Sequence, residues 1–312
     1  YHQLIFNSVD VREVTYDNNG IIEYIILSSD TDITRGWTDG EVQLSGGAWT
    51  DKNGFAPRIK ALYFDKSQKQ YLRIAGFDPP GTNGYTYIVG WKFAESRSFS
   101  GSYEDTFISK RENGANETTI LYGRSNKIQY TARSTTKSDV GHAPTITNYE
   151  SGFNFCVLTC SDDISRSIYT NDIAKTNNQA GEVKGLDEMV GQIFHIGSDG
   201  AESGQWYRSS RFYDGYMFYF AVWTRILSDK EIYELQNNLL FNNPTTEQQK
   251  DLELFIDFNA PYDDNGVLKF PDLSGNDYQV EARRYVSNGN YPNWGNTLTD
   301  LQNSLVDIDS LR

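Results

Sequence analysis

The chain has 312 residues, with 42 acidic against 28 basic side chains, a formal net charge of −14 and a pI near 4.7. Such a field repels phosphate backbones and anionic membrane surfaces, which argues against nucleic-acid partners. The longest apolar run, Tyr216 to Trp223, is far short of the ~20 residues a spanning helix needs, so no membrane insertion is expected.

Twenty-one Tyr, 17 Phe, 6 Trp and 26 Gly beside only 2 Met favour strands and turns over helices, and predict an all-β chain. The first element is a hairpin in which VREVTY and IIEYIIL flank Asp17-Asn18-Asn19-Gly20, residues that tolerate the left-handed backbone of a tight turn. The stretch from Thr31 to Pro57, rich in Gly, Asp and Trp, reads as a long ordered loop. Strand patterns resume at IKALYF and QYLRIAGF and continue through TYIVGWKF, DTFISKR, TTILYG and KIQYTAR. Short strands at this spacing point to a sandwich or barrel. A polar loop around His142 to Tyr149 precedes FNFCVLT and SRSIYT, which are joined through Ser161-Asp162-Asp163; QIFHIG and GYMFYFAVW follow. The last run is apolar at every position, as a central strand covered on both faces requires.

Cys156 and Cys160 are the only cysteines. Four residues apart on one strand they share a face but lie roughly 13 Å apart, beyond the ~7 Å reach of a disulfide, so two free thiols and folding in a reducing cytosol are expected. Ser228 and Glu231 form a capping box with Leu227 and Ile232 as its hydrophobic staple, and Ile232, Leu235 and Leu239 recur on one face, predicting a helix from Ser228 to Phe241. A further hairpin is read in LELFIDF and VLKF about Asp263-Asp264-Asn265-Gly266, followed by Asp272-Leu273-Ser274-Gly275-Asn276 and by Leu298, Leu301 and Leu305 at helical spacing. From residue 245 on, twelve acidic and five basic residues give a net of −7, half the excess charge of the chain. The predicted organisation is a sandwich over 1–243, its core at 59–241, and an acidic segment over 244–312 that packs on it or on a neighbouring subunit. The chain opens at Tyr1 with neither initiator Met nor signal-peptide pattern, which reads as a processed product or part of a longer protein.

ALYFDKSQKQYLRI, YTYIVGWKF, TFISKRENG, FNFCVLTCSDDISRSIYTNDIAK, IFHIGS and FYDGYMFYFAVWTRILSDKEIYEL together resemble the laminin-G-like branch of the concanavalin A-like lectins and glucanases, over roughly Ile59 to Leu240. The closing segment carries most of the likeness: Asp214-Gly215 and Trp223-Thr224-Arg225-Ile226-Leu227-Ser228 stand where that family has its last buried strand and the lead into its last helix. The resemblance implies a jelly-roll β-sandwich with one packed C-terminal helix. Family domains open with a strand and a D-x-S-G-N turn, whereas here LELFIDF and Asp272–Asn276 come after the closing helix. That segment could begin a second copy, fold back on the first, or be donated to a neighbour.

The fold hosts glycoside hydrolases, so catalysis has to be judged from residues. The alternating E-x-D-x-E or E-x-D-x-x-E carboxylates of the laminarinase-like enzymes do not occur, nor do G-x-S-x-G, H-E-x-x-H or a phosphate-binding loop. His195 reads as a sandwich residue with its hydrogen bonds met, and His142 as an exposed loop residue. Calcium is the cofactor that the resemblance brings in, with Asp162, Asp163, Asp199 and Asp214 as its candidate ligands. Exposed aromatics beside polar groups suit sugar rings, which selects Trp206, Tyr207 and Arg208 in the 198–211 loop and Trp49 in the 37–55 loop. The expected function is a non-enzymatic module for glycan or surface recognition, displayed outside the cell or on a virion or phage particle, with a glycan or surface protein as partner and homo-oligomer or assembly contacts open. The alternatives are a structural decoration or cement protein and a glycoside hydrolase.

Overall fold

The computed structural model describes residues 11–16, 22–27, 41–45, 48–51, 60–77, 84–94, 105–111, 118–124, 127–133, 138–142, 152–160, 165–170, 174–179, 193–200, 211–237, 249–287 and 290–311. Contacts divide the chain into two compact units, Tyr1–Ile59 and Lys60–Arg312. The first holds an antiparallel four-stranded sheet in chain order: β1 (Val11–Tyr16), β2 (Ile22–Leu27), β3 (Glu41–Ser45) and β4 (Ala48–Asp51). The expected hairpin is thus β1 and β2. Strands β3 and β4 lie within the stretch read as a loop, because EVQLS and AWTD carry too few apolar positions to signal strands.

The second unit is a two-sheet antiparallel sandwich. One sheet has eight strands: β14 (Ala174–Gln179), β13 (Ser165–Thr170), β12 (Asn154–Cys160), β7 (Tyr85–Phe93), β16 (Gly215–Trp223), β5 (Lys60–Phe64) and β21 (Leu305–Asp307), with β17 (Leu252–Phe255) also paired to β16. The other has nine: β11 (Ser138–His142), β10 (Lys127–Arg133), β9 (Thr118–Arg124), β8 (Asp105–Arg111), β15 (Phe194–Ile196), β6 (Gln70–Ile74), β20 (Val280–Arg284), β19 (Val267–Phe270) and β18 (Tyr262–Asp264). Period-two alternation aims Leu62, Phe64, Val89, Trp91, Phe220 and Val222 of the first sheet at Leu72, Ile74, Phe194, Ile196, Val280 and Ala282 of the second, all fully buried in one core. Aromatic contacts tie the layers, with Trp91 and Phe107 ring centroids 5.1 Å apart and Phe64 edge-on to Trp294 at 4.9 Å.

β16 is central, between β7 and β5, and eight of its nine residues are buried, Trp223 completely. Its exit is fixed by Thr86 of β7, whose hydroxyl donates to the Arg225 carbonyl at 2.9 Å and accepts from Leu227 N–H at 3.0 Å. The helix that follows, α1 (Asp229–Asn237), is short; residues 238–241 of the predicted helix lie outside the described residues. Its start is the expected capping box: Ser228 N–H donates to Glu231 Oε2 at 2.7 Å and Glu231 N–H to Ser228 Oγ at 3.3 Å. Arg225 adds an ion pair to Glu231 at 2.6 Å. Burial raises the Glu231 pKa, but these bonds outweigh it and hold the group down at about 2. Ile232 and Leu235 are buried, as the staple pattern requires.

The acidic segment departs from its predicted pairing. VLKF pairs not with LELF but with Tyr262–Asp264, while LELF joins the opposite sheet beside β16. The intervening Ile256 and Phe258 are thereby turned into the core with Leu254. Asp272 holds the crossover: its carboxylate accepts from Phe255 N–H (3.0 Å), Ser274 N–H (2.9 Å), Ser274 Oγ (2.7 Å) and Tyr278 N–H (3.2 Å). β20 then pairs with β6 and β21 with β5, one strand in each sheet. Of the leucines at helical spacing, Leu298 and Leu301 lie in α2 (Leu298–Asn303), capped by Thr297, and Leu305 has passed into β21.

Candidate functional site

Strand register sets a polar row across the outer face of the nine-stranded sheet. Ser109 of β8 stands opposite His195 of β15, His195 opposite Arg73 of β6, Arg73 opposite Glu281 of β20, and Glu281 opposite Lys269 of β19. Directly paired residues share a face, and their neighbours along each strand, such as Leu72, Phe194 and Ala282, point into the core. On β20 the same period brings Arg283 and then Tyr285 to the outer face beside Glu281.

Glu281 is the centre of this row. Its Oε2 accepts from Arg73 Nη1 at 2.8 Å and from Arg283 Nε at 3.0 Å and Nη2 at 2.9 Å. Burial raises its pKa, yet the two guanidiniums hold it below the usual carboxylate range. Its Oε1 accepts no hydrogen bond among the described residues and is not sealed from solvent. Arg283 is spent on its neighbours, since Nη1 also reaches the Tyr291 carbonyl at 3.4 Å and Asn293 Oδ1 at 3.3 Å. Lys269 Nζ donates to Asp264 Oδ2 at 2.6 Å and Gln279 Oε1 at 2.7 Å. Farther along this face, beyond Arg283, the half-buried rings of Tyr285 and Tyr291 lie 6.0 Å apart, with Lys69 Nζ 5.4 Å over Tyr285.

On the other side of Arg73 the face closes over. Tyr71, fully buried, lies 5.5 Å from the His195 ring and 6.5 Å from Phe212. His195 is buried as expected, but neither ring nitrogen makes a well-aligned hydrogen bond among the described residues. Burial first and the Arg73 charge second lower its pKa to about 3, against a weak opposing pull from the Ile193 backbone, so the imidazole is neutral at physiological pH.

Of the residues selected from the sequence, Trp206, Tyr207, Arg208, Asp162 and Asp163 lie outside the described residues. Trp49 is in β4, opposite Leu44 in the first unit, and its side chain is likewise undescribed. Asp199, wholly buried, is ion-paired to Arg211 at 2.8 Å; Asp214 is half-buried just before β16, and among the described residues no cluster of acidic, His or Cys side chains could hold a metal. What the structure does build is the base of the 198–211 loop. Ser109 Oγ donates to Ser198 O at 2.7 Å and accepts from Gly200 N–H at 3.0 Å, Ser198 bridges Phe212, and Tyr213 N–H donates to Gly197 O at 2.9 Å. Gly197 is required there: its φ is +83°, and a Cβ would lie 2.5 Å from the Phe64 ring. His142, read as a loop residue, ends β11 opposite Gln129. Arg73, Glu281 and Arg283 were not selected from the sequence, because 208 residues separate Arg73 from Glu281 and only the β6–β20 pairing joins them.

Two antiparallel sheets in this order, packed on one core through which the strand β16 runs, define a concanavalin A-like jelly-roll sandwich. Among solved structures, the chain is similar to a putative carbohydrate binding protein from Bacteroides ovatus at 15% identity and a TM-score of 0.50. The match covers 83% of this chain and 66% of that one, just under two thirds of its length. It is also similar to a native heptameric SAP-like pentraxin from Limulus polyphemus (13% identity, 57% and 82% covered, TM-score 0.43) and to domains LG4-5 of the mouse laminin alpha1 chain (9% identity, 52% and 41% covered, TM-score 0.41). No protein-family model and no curated protein sequence matches the chain.

Proposed function

We propose that the chain is a binding module for glycans, not a catalyst, and that the outer face of the nine-stranded sheet at Glu281 is where it binds. The Bacteroides ovatus likeness supplies the fold alone; the observation that carries the reading is a Glu281 carboxylate fixed through one oxygen by two guanidiniums, with the other oxygen open and the Tyr285–Tyr291 pair farther along the same face, beyond Arg283. A sugar needs such a combination, because its C–H face packs on aromatic rings while its hydroxyls need fixed polar partners. The side chains are already in place, so little conformational entropy is lost on binding. Display on a virion, phage fibre or cell surface is the setting we infer from the sequence, and immunolabelling of intact particles or cells tests it.

The test of binding is an immobilised-glycan panel probed with wild-type protein and Glu281→Ala, with and without calcium, alongside a reducing-sugar release assay. Retention of one glycan class by the wild type, its loss in a folded variant and no sugar release are expected. Retention undiminished in Glu281→Ala would refute the site, and sugar release would refute the non-catalytic reading.

A further inference from the structure

We infer that the Glu281 site selects neutral, hydroxyl-rich sugars and rejects both carboxylated and amino sugars; this rests on the reading of that face as a glycan site. The hydrogen-bond inventory of the cluster decides the matter. A carboxylated sugar must be met by donors, and those nearest Glu281 are engaged with it or with its neighbours, while Lys69 Nζ lies over the Tyr285 ring. Arg283 gives Nε and Nη2 to Glu281 and Nη1 to Tyr291 O and Asn293 Oδ1; Lys269 gives Nζ to Asp264 and Gln279; Arg73 gives Nη1 to Glu281. The open atom is Glu281 Oε1, an acceptor with negative charge, which a second carboxylate would approach at a cost. The chain's charge of −14 works the same way at longer range.

A cationic amino sugar would satisfy Oε1, but it would have to settle among Arg73 and Lys269, which face Glu281 in register, and Arg283, two residues on along β20. A neutral hydroxyl meets neither obstacle: it donates to Oε1 in a charge-assisted hydrogen bond while a neighbouring ring of the same oligosaccharide lies against Tyr285 and Tyr291. Because the ligand carries no charge, its affinity depends little on salt.

The experiment is titration calorimetry of the whole chain with three probes of similar length: neutral gluco-, galacto- and manno-oligosaccharides, oligogalacturonate, and chitosan oligomers. Each is run at low and at high salt and repeated with Glu281→Gln and Tyr291→Ala. Binding is expected for a neutral oligosaccharide alone, nearly unchanged by salt and weakened at least tenfold by either substitution. The Tyr291 variant leaves the ion cluster whole, so loss in both variants cannot be blamed on disruption of that cluster. Salt-sensitive binding of oligogalacturonate or chitosan, abolished by Glu281→Gln, would overturn the selectivity and leave the glycan site standing. Binding of a neutral sugar unaffected by either substitution, or of no probe at all, would overturn both.

Discussion

Removal of residues 244–312 tests the architecture most directly. The deletion takes away β17 through β21, and with them Leu254, Ile256, Phe258, Leu268, Phe270, Val280, Trp294 and Leu301, all nearly or wholly buried in the single core. Full burial of one such side chain contributes about 1.5–3 kcal/mol, so the loss is on the order of 12–24 kcal/mol over these eight. Part of that area is already buried in real unfolded chains, which brings the figure down by roughly a quarter. What remains still matches or exceeds the ~5–15 kcal/mol by which whole domains are stable. The truncated chain is therefore expected to lose its cooperative thermal transition and near-ultraviolet dichroism, and to leave the edges of β6 and β5 unpaired. A truncated protein that melts cooperatively within a few degrees of the full chain would refute the claim that these strands complete the sandwich.

Trp223→Ala, at a position with no solvent exposure, should cost about 3–5 kcal/mol in urea unfolding, and a loss below ~1 kcal/mol would contradict its burial in β16. Cys156 is buried and its thiol is pushed up in pKa by that burial, so it should resist a thiol reagent in the native protein. After denaturation without reductant, mass spectrometry should find both cysteines alkylated. Between pH 6.5 and about 3 the unfolded chain binds a proton at His195 that the folded chain refuses, so stability should fall with falling pH, at up to about 1.4 kcal/mol per pH unit. Glu281, held below its usual range, adds to the same slope as it protonates; His195→Gln should flatten the melting-temperature profile between pH 6.5 and 4.5, and an unchanged slope would contradict the burial of the imidazole.

Strands with an apolar face were legible because burial on one side of a sheet imposes period two: KALYF, YTYIVGWKF, NFCVLTC and GYMFYFAVW all stand where the pattern puts them. Edge strands were not. SDVGH and AKTNNQ, β11 and β14, end their sheets and carry little apolar alternation, so hydrophobic patterning has no purchase on them. The helix start was legible because a capping box is local, spanning only Ser228 to Glu231. The Glu281 cluster was illegible for the opposite reason, since no local pattern marks an arginine and a glutamate that meet only through strand pairing across 208 positions.

Strand pairing also explains how the segment after α1 takes part in both sheets. β21 runs antiparallel to β5 with Asp307 opposite Lys60, and the two side chains form an ion pair at 2.7 Å. The last strand of the sandwich thus lies beside its first, as two arms of a hairpin would. β17 and the Asp272–Asn276 turn meanwhile serve β16 and the crossover between sheets. Sheet order depends on which strands pair, not on where the chain is cut. The segment that follows α1 therefore completes both sheets, provided that its core residues, Leu254 to Phe258 and Val280 to Ala282, keep their alternation.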